Sequence, residues 1–136
     1  MKIRVLLLAL LLLLSACATD TPAATEPSQV NAIVTEIQDT MRKEPGVRTA
    51  SAVYQNSMDA AAAGGITVTA EAGSDLDAIY DRAVELFWRS KLQPLSTLTI
   101  SVTDETGKGS GRGGVRFKDQ TTKDDLTKRY GARPVG

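Results

Sequence analysis

Three acidic residues, Asp77, Asp81 and Glu85, recur every four positions and would form a row along one side of a helix. Carboxylates gathered in this way could act as general acid and base on a substrate, or could supply oxygen ligands to calcium. The chain has no Asp-x-Asp-x-Asp-Gly calcium loop, however, and Arg89 follows Glu85 at the spacing of an ordinary helical ion pair. We therefore expect a solvated helix face, and an enzyme that uses these carboxylates is the alternative.

A glycine-rich segment, Gly109–Gly114, matches the G-x-G-x-x-G spacing that holds a pyrophosphate between a strand and a helix. The next residues, Val115–Lys118, predict a strand where a nucleotide site needs a helix. We therefore expect Gly107–Gly114 to be a mobile hairpin loop without a phosphate role. The cations in and beside the loop are candidates for contact with anionic lipid or polymer, although solvated surface positions are the simpler interpretation: Lys108, Arg112, Arg116 and Lys118.

The composition excludes several kinds of site. The chain of 136 residues has no histidine, so Ser-His-Asp catalysis, Cys-His catalysis and imidazole-based metal sites are all absent. It has one cysteine, which excludes an intrachain disulfide and cysteine-ligated zinc. We therefore expect a protein that is not an enzyme and has no cofactor and no metal.

The balance of charge argues against nucleic-acid binding. The chain has 16 basic and 16 acidic residues, and loss of Lys2 and Arg4 with an N-terminal leader would leave a net charge of −2. Binding to a phosphate backbone needs an excess of Lys and Arg. We therefore expect no nucleic-acid partner.

The N-terminus has the features of an export signal. Lys2 and Arg4 precede an unbroken apolar run from Val5 to Leu14, which is the charge-then-hydrophobic order of a secretory signal. The run is about half as long as the roughly 20 apolar residues that a membrane-spanning helix needs. Residues 1–16 are therefore predicted to be a signal peptide.

This signal ends in Leu14-Ser15-Ala16-Cys17, which resembles the lipobox of bacterial lipoproteins: an aliphatic residue, two small residues and a cysteine. Small residues let the extended chain enter a protease, and the cysteine thiolate is the nucleophile that accepts a diacylglyceryl group. The resemblance implies cleavage before Cys17 and acylation of that residue, palmitate included, with the membrane as partner. The alternative is ordinary signal-peptidase cleavage at Ala16-Cys17-Ala18, which releases a soluble chain beginning at Thr19.

Residues 17–28 are the expected link between the anchor and a folded domain. Ala18–Pro27 has no aromatic or large aliphatic residue, so it has little to bury and predicts a flexible spacer. By resemblance to known sorting rules, Ala18 after the cysteine favours the outer membrane in a cell that has one. In a single-membrane cell, the resemblance implies the outer face of the plasma membrane.

Two long helices are predicted from apolar stripes at helical spacing. The first spans Gln29–Lys43 with Ser28 as its N-cap. The second opens at Ser74–Asp77, with the serine as a candidate cap, and its stripe continues to Phe87. Trp88, the only tryptophan, is expected at the edge of that stripe, where it either covers the core or marks a binding surface. Core cover is the favoured role.

The strands are predicted at Val47–Gln55, Ile66–Ala70, Leu95–Val102 and Val115–Lys118. Between the first two, Asn56–Gly65 is expected to be a connection, with one helical turn allowed by its alanine run. A short helix opened by Thr122–Asp125 is expected to end at Gly131.

This order of elements predicts an α+β fold for one domain, residues 29–134. Two long helices would cover one face of a small, mostly antiparallel sheet in a two-layer sandwich, with a short C-terminal helix in addition. The order is similar to that of the bacterial envelope module called BON, and more loosely to permuted ferredoxin-like folds. The resemblance covers element order only, and it implies a fold rather than a function.

The chain as a whole resembles small lipoproteins of the bacterial envelope. We therefore predict a lipid-anchored, extracytoplasmic, non-catalytic module that uses one face of the sandwich to contact an envelope protein, lipid or wall polymer. An envelope enzyme and a soluble secreted domain are the alternatives. Cys17 is the predicted lipidation site, and Trp88 is the candidate residue of a binding surface.

Overall fold

The computed structural model describes residues 23–135, which contain three helices and four strands. The predicted signal peptide, the lipobox with Cys17 and most of the predicted spacer lie outside these residues. The elements follow one another as α1 (Pro27–Arg42), β1 (Val47–Ser57), β2 (Ala60–Ala70), α2 (Leu76–Arg89), β3 (Thr97–Asp104), β4 (Val115–Arg116) and α3 (Gln120–Tyr130).

The four strands form one mixed sheet in the order β1-β2-β3-β4. β1 and β2 are an antiparallel hairpin, and β3 and β4 are antiparallel as well. β2 and β3 are parallel, because the connection through α2 returns the chain to the end of the sheet at which β2 begins. Together with the helices, this arrangement confirms the predicted α+β class, the mostly antiparallel sheet and the short C-terminal helix.

The buried core lies between the sheet and the helices. Its largest fully buried side chains are Phe87, Phe117, Met41, Leu92, Leu98 and Val68. Gly64 in β2 is required at this interface, because a Cβ atom there would lie 2.7 Å from Cε1 of Phe87. The glycine lets the phenylalanine ring approach the sheet backbone.

The main error of the sequence prediction is the segment before Ile66. The expected connection Asn56–Gly65 is instead the end of β1, a tight turn and the first half of β2, with Ser57 opposite Ala60 and Gln55 opposite Ala63. An alanine run has no period of its own and is compatible with helix or strand. Pairing with β1 decides in favour of the strand.

Smaller differences concern the ends of the helices. α1 begins at Pro27 after Glu26, and not after Ser28, since proline is suited to the first helical position. α2 is capped by Asp75 in place of Ser74, because the Asp75 carboxylate accepts a hydrogen bond from Ala78 N at 3.0 Å. α3 ends at Gly131, with φ of 84°, as predicted.

Within residues 23–135, no helix combines the length and the apolar character that crossing a membrane requires.

Candidate functional site

The two faces of the sheet differ in what covers them. Along β3, Leu98, Ile100 and Val102 are buried beneath the helices, whereas Thr99 and Ser101 between them are exposed. The same alternation continues in β1 and β2, because successive side chains of a strand point to opposite faces. One face of the sheet is therefore open, and we call it the open face.

The strand register arranges the open face in rows across β1, β2 and β3. The twelve positions are Thr49, Thr69 and Thr103; Ser51, Thr67 and Ser101; Val53, Gly65 and Thr99; and Gln55, Ala63 and Thr97. Eight of the twelve are Ser or Thr, and none is charged, although 24% of the whole chain is charged. These twelve positions form an uncharged surface rich in hydroxyl groups, and the exposed ion pair of Arg48 and Glu105, 2.7 Å apart, borders it at one end.

A shallow depression of about 350 Å³ lies in the middle of the open face. Gly65 forms its floor, with Val53 and Thr99 on either side in the adjacent strands. A Cβ atom on Gly65 would lie 2.9 Å from Cγ2 of Val53 and would fill the space. The Val53 side chain itself is 56% exposed, so the rim of the depression presents one apolar group among hydroxyls.

The chemistry available on the open face is hydrogen bonding rather than acid–base catalysis. Serine and threonine hydroxyls both donate and accept, and Gln55 adds an amide at the edge. The twelve side chains include no carboxylate, amine or thiol that could transfer a proton or act as a nucleophile. The arrangement fits binding of an uncharged, polar surface.

The outer edge of β1 is partly closed by side chains of α1. Ala52 N donates to Oε1 of Gln38 at 3.2 Å, and Nε of Arg42 donates to Ala50 O at 3.2 Å. These bonds occupy backbone groups that an added strand would need. In this half of β1 the face, and not the edge, is the accessible surface.

The three carboxylates of the predicted acidic row all lie in α2 and have different partners. Asp81 lies 2.7 Å from Nη1 of Arg112 and 3.3 Å from Nη2 of Arg129. Glu85 binds two other arginines, Arg82 and Arg89, each at 2.9 Å. Asp77 is exposed in the first turn of α2, where the helix dipole favours negative charge. Asp81 therefore joins α2 to the glycine-rich segment and to α3, whereas both partners of Glu85 lie within α2 and form ordinary helical ion pairs.

The glycine-rich segment is attached to the domain and opens β4, a strand. The Tyr80 hydroxyl donates to Gly113 O, and the guanidinium of Arg112 lies 4.0 Å from the centre of the Tyr80 ring. On the other side, a Cβ atom on Gly114 would lie 2.8 Å from Leu98 O, so the segment runs directly against β3. The segment connects the antiparallel strands β3 and β4, as expected of a hairpin loop, and it contacts α2 and β3 on either side.

The four cations of this region do not form one patch. Arg112 is paired with Asp81, and Arg116 lies opposite Thr97 at the start of β3, close to Lys118. Lys108 lies at the other end of β3, where its carbonyl accepts a hydrogen bond from Asp104 N. The length of β3 therefore separates Lys108 from Arg116 and Lys118.

Asp104 is the buried charged residue of the described region, and its surroundings favour the ionised form. The Thr106 hydroxyl donates to its carboxylate at 2.6 Å, and the backbone amides of Thr106 and Lys108 donate at 2.9 and 3.0 Å. These hydrogen bonds lower the pKa of Asp104, with the Thr106 side chain contributing most. The carboxylate organises the turn after β3.

Trp88 lies in the core and not on the surface. Its side chain is 3% exposed, Nε1 donates to Gly131 O at 2.9 Å, and its ring centre lies 5.8 Å from that of Phe117. The indole therefore packs the C-terminal end of α3 against α2. This is the core-cover role, and the candidate binding surface at Trp88 is corrected accordingly.

Only part of the open face could be predicted from the sequence. The alternation of β3 placed its hydroxyls on one side, but the rows depend on the register of β1 and β2, which was obscured by the alanine run. Among residues 23–135, no group of three or more His, Cys, Asp or Glu is placed to hold a metal ion.

No protein-family model matches this chain, and no curated protein matches it either.

Proposed function

We propose that this protein is a lipid-anchored, extracytoplasmic binding module of the bacterial envelope. In this proposal Cys17 carries the lipid, the segment after it links the lipid to the domain, and the open face contacts the partner. The partner is an envelope protein or a wall polymer with an uncharged, polar surface.

The observation that carries the binding role is the absence of charge from an exposed face of twelve residues. Solvated sheet faces ordinarily contain charged side chains, and Lys and Glu are among the residues depleted from the core of a protein interface. Small hydroxyl side chains lose little conformational freedom when they are covered. A partner that meets the open face therefore desolvates no charge and orders few long side chains.

The anchor is supported by the residues of the N-terminus alone. A basic pair, an apolar run and Leu14-Ser15-Ala16-Cys17 follow one another in the order that lipoprotein processing requires. With more than one acyl chain, each buried methylene contributes about 0.8 kcal/mol to membrane binding, which gives a stable attachment.

The anchor is tested by mass spectrometry of the protein purified from cell membranes. The expected N-terminal peptide begins at Cys17 and carries the mass of a diacylglyceryl group. A Cys17→Ser variant is the control, and it is expected in the non-membrane fraction or as an unprocessed precursor. A wild-type chain that begins at Thr19 without lipid would contradict the proposal and support the secreted alternative.

The binding role is tested by one substitution made at two exposed threonines. Thr67→Arg places a cation in the middle of the open face, whereas Thr35→Arg places it on α1. After crosslinking in cells and purification in detergent, a partner that is recovered with the wild type and with Thr35→Arg is expected to be lost with Thr67→Arg. Equal recovery with both variants would show that the partner binds elsewhere.

A further inference from the structure

The end of the molecule that receives the N-terminal segment also carries a protruding hairpin. Thr25 N donates to Gln93 O at 2.8 Å, Gln93 N donates to Oγ1 of Thr25 at 2.8 Å, and the Thr25 hydroxyl donates to Lys91 O at 2.8 Å. The chain before α1 is thus fixed to the segment between α2 and β3. We call this end of the domain the tether end.

The turn between β1 and β2 lies at the tether end as well. Ser96 N donates to Ala62 O, and the Tyr54 hydroxyl donates to Pro94 O, so both hairpin strands contact the segment between α2 and β3. Ala63 is the first residue of β2 that pairs with β3. β2 begins three residues earlier, at Ala60, so the turn before it projects about 10 Å past the end of β3 at roughly 3.3 Å per residue.

The tip of this hairpin is uncovered, and it presents apolar side chains beside polar ones that include Asp59 in the turn. Met58, in the turn, is fully exposed, and the neighbouring Ala60 and Ala61 are exposed too. Val135 is 79% exposed at the same end, since Gln93 Nε2 donates to Pro134 O at 3.3 Å. Met58, Val135 and Val53 are the exposed large hydrophobic residues of the described region, and two of these three are at the tether end.

The length of chain before Thr25 restricts where this end can be. Cys17 lies eight residues earlier, so the two residues are separated by at most roughly 28 Å when fully extended. With a lipid on Cys17, this connection keeps the tether end within roughly 28 Å of the bilayer.

We propose that the tether end rests on the bilayer with the Met58 side chain inserted at the lipid–water interface. This inference rests on the proposed anchor at Cys17. In this orientation the strands stand steeply on the membrane, and the open face is directed sideways, where a neighbouring envelope component can reach it.

The contact is expected to be apolar rather than electrostatic. The charges at the tether end nearly balance, with four cations, of which Arg133 is half-buried, and three acids: Lys91, Arg116, Lys118, Arg133, Glu26, Asp59 and Asp119. Anionic headgroups therefore have little net charge to attract. Insertion of Met58 should be nearly the same in zwitterionic and in anionic vesicles.

The test uses the full-length lipidated protein and a fluorophore on a new cysteine. Acylation blocks the thiol of Cys17, and the sequence has no other cysteine, so Met58→Cys supplies the sole free thiol. Val53→Cys on the open face and Ala72→Cys, exposed beyond the opposite end of β2, are the matched controls. Each labelled protein is placed in phosphatidylcholine vesicles, with and without phosphatidylglycerol, that contain a nitroxide-labelled lipid.

We expect the nitroxide lipid to quench the label at position 58 severalfold more than the labels at positions 53 and 72, in both vesicle types. Equal quenching at positions 58 and 72 in a protein whose mass shows the lipid would overturn the orientation and leave the anchor intact. Quenching at position 58 that appears only with phosphatidylglycerol would overturn the apolar contact. A mass without lipid would overturn the anchor and this inference together.

Discussion

The two faces of this sheet are built from the same strands, but one packs the core and the other forms an exposed polar surface. On the covered face, Val68, Leu98 and Phe87 of the opposing helix pack without solvent, and their burial stabilises the fold. On the open face, Thr67, Thr99 and Ser101 alternate with these residues and contribute little apolar burial. Because the two sets alternate along each strand, a residue that stabilises the core is followed in the sequence by one that forms part of the open face.

The contrast is sharpest at the adjacent pair Gly64 and Gly65. Gly64 accommodates the Phe87 ring on the covered face, whereas Gly65 forms the floor of the depression on the open face. The first glycine is needed for packing, and the second shapes a surface. We therefore expect substitution of Gly64 to affect stability and substitution of Gly65 to affect the binding surface.

The largest effect is expected on the covered face at Phe87. Phe87→Ala removes a ring that is fully buried against the sheet, and should lower the free energy of unfolding by about 3–5 kcal/mol, as for other buried aromatic residues. Urea denaturation followed by circular dichroism measures the loss. A loss below about 1 kcal/mol would mean that the covered face is not the source of stability.

The next effect compares the two glycines directly. Gly64→Ala forces a methyl group to within 2.7 Å of the Phe87 ring and should cost about 1–3 kcal/mol through overpacking. Gly65→Ala meets the Val53 side chain, which is exposed and can rotate, so its cost should stay below about 0.5 kcal/mol. Thermal unfolding of both variants in one buffer gives the comparison. Equal losses of stability would contradict the proposed difference between the two faces.

Asp104, the last residue of β3 and buried on the covered face, provides a test whose outcome depends on pH. Its pKa is lowered in the folded state, so its contribution to stability is complete above its unfolded pKa of about 4 and is lost as the pH falls through the folded value. Asp104→Asn should therefore lower the melting temperature at pH 7, and the gap from wild type should narrow on acidification below pH about 4. A gap that is independent of pH down to acid unfolding would contradict this assignment.

The smallest effect is expected at the attachment of the glycine-rich segment. Arg112→Ala removes a partly exposed ion pair with Asp81 and the stacking on Tyr80, and should cost about 0.2–1 kcal/mol. Hydrogen exchange should become faster in Gly109–Gly114 and remain unchanged in β2. Unchanged exchange in the segment would show that its contacts with β3 hold it without Arg112.

The parts of the fold that could be predicted are those with local signals. The stripe of α2 continues to Phe87 as its spacing required, and Gly131 ends α3 because glycine readily adopts a positive φ. The class and layer order followed from these elements. The extended first half of β2 did not, because the alanines at 60–63 take their conformation from the strand beside them.

The candidate site was harder to predict because it is made by pairing between distant segments. Neither Ser51 nor Thr67 indicates a surface alone, and they become one row with Ser101 only through the register of three strands. The burial of Trp88 also depends on a distant segment and could not be predicted from its own position in the sequence. Helical geometry placed it at the edge of a stripe, and Gly131, 43 residues later, provides the acceptor that holds it inside.

Binding through the open face is tested most directly by photocrosslinking from this face in intact cells. A photoreactive amino acid is introduced at Thr67 in the full-length protein and, as the matched control, at Thr35 on α1. We expect a discrete adduct from position 67 that is absent from position 35. An adduct from position 35 alone, or the same adduct from both, would contradict the assignment of the open face as the binding surface.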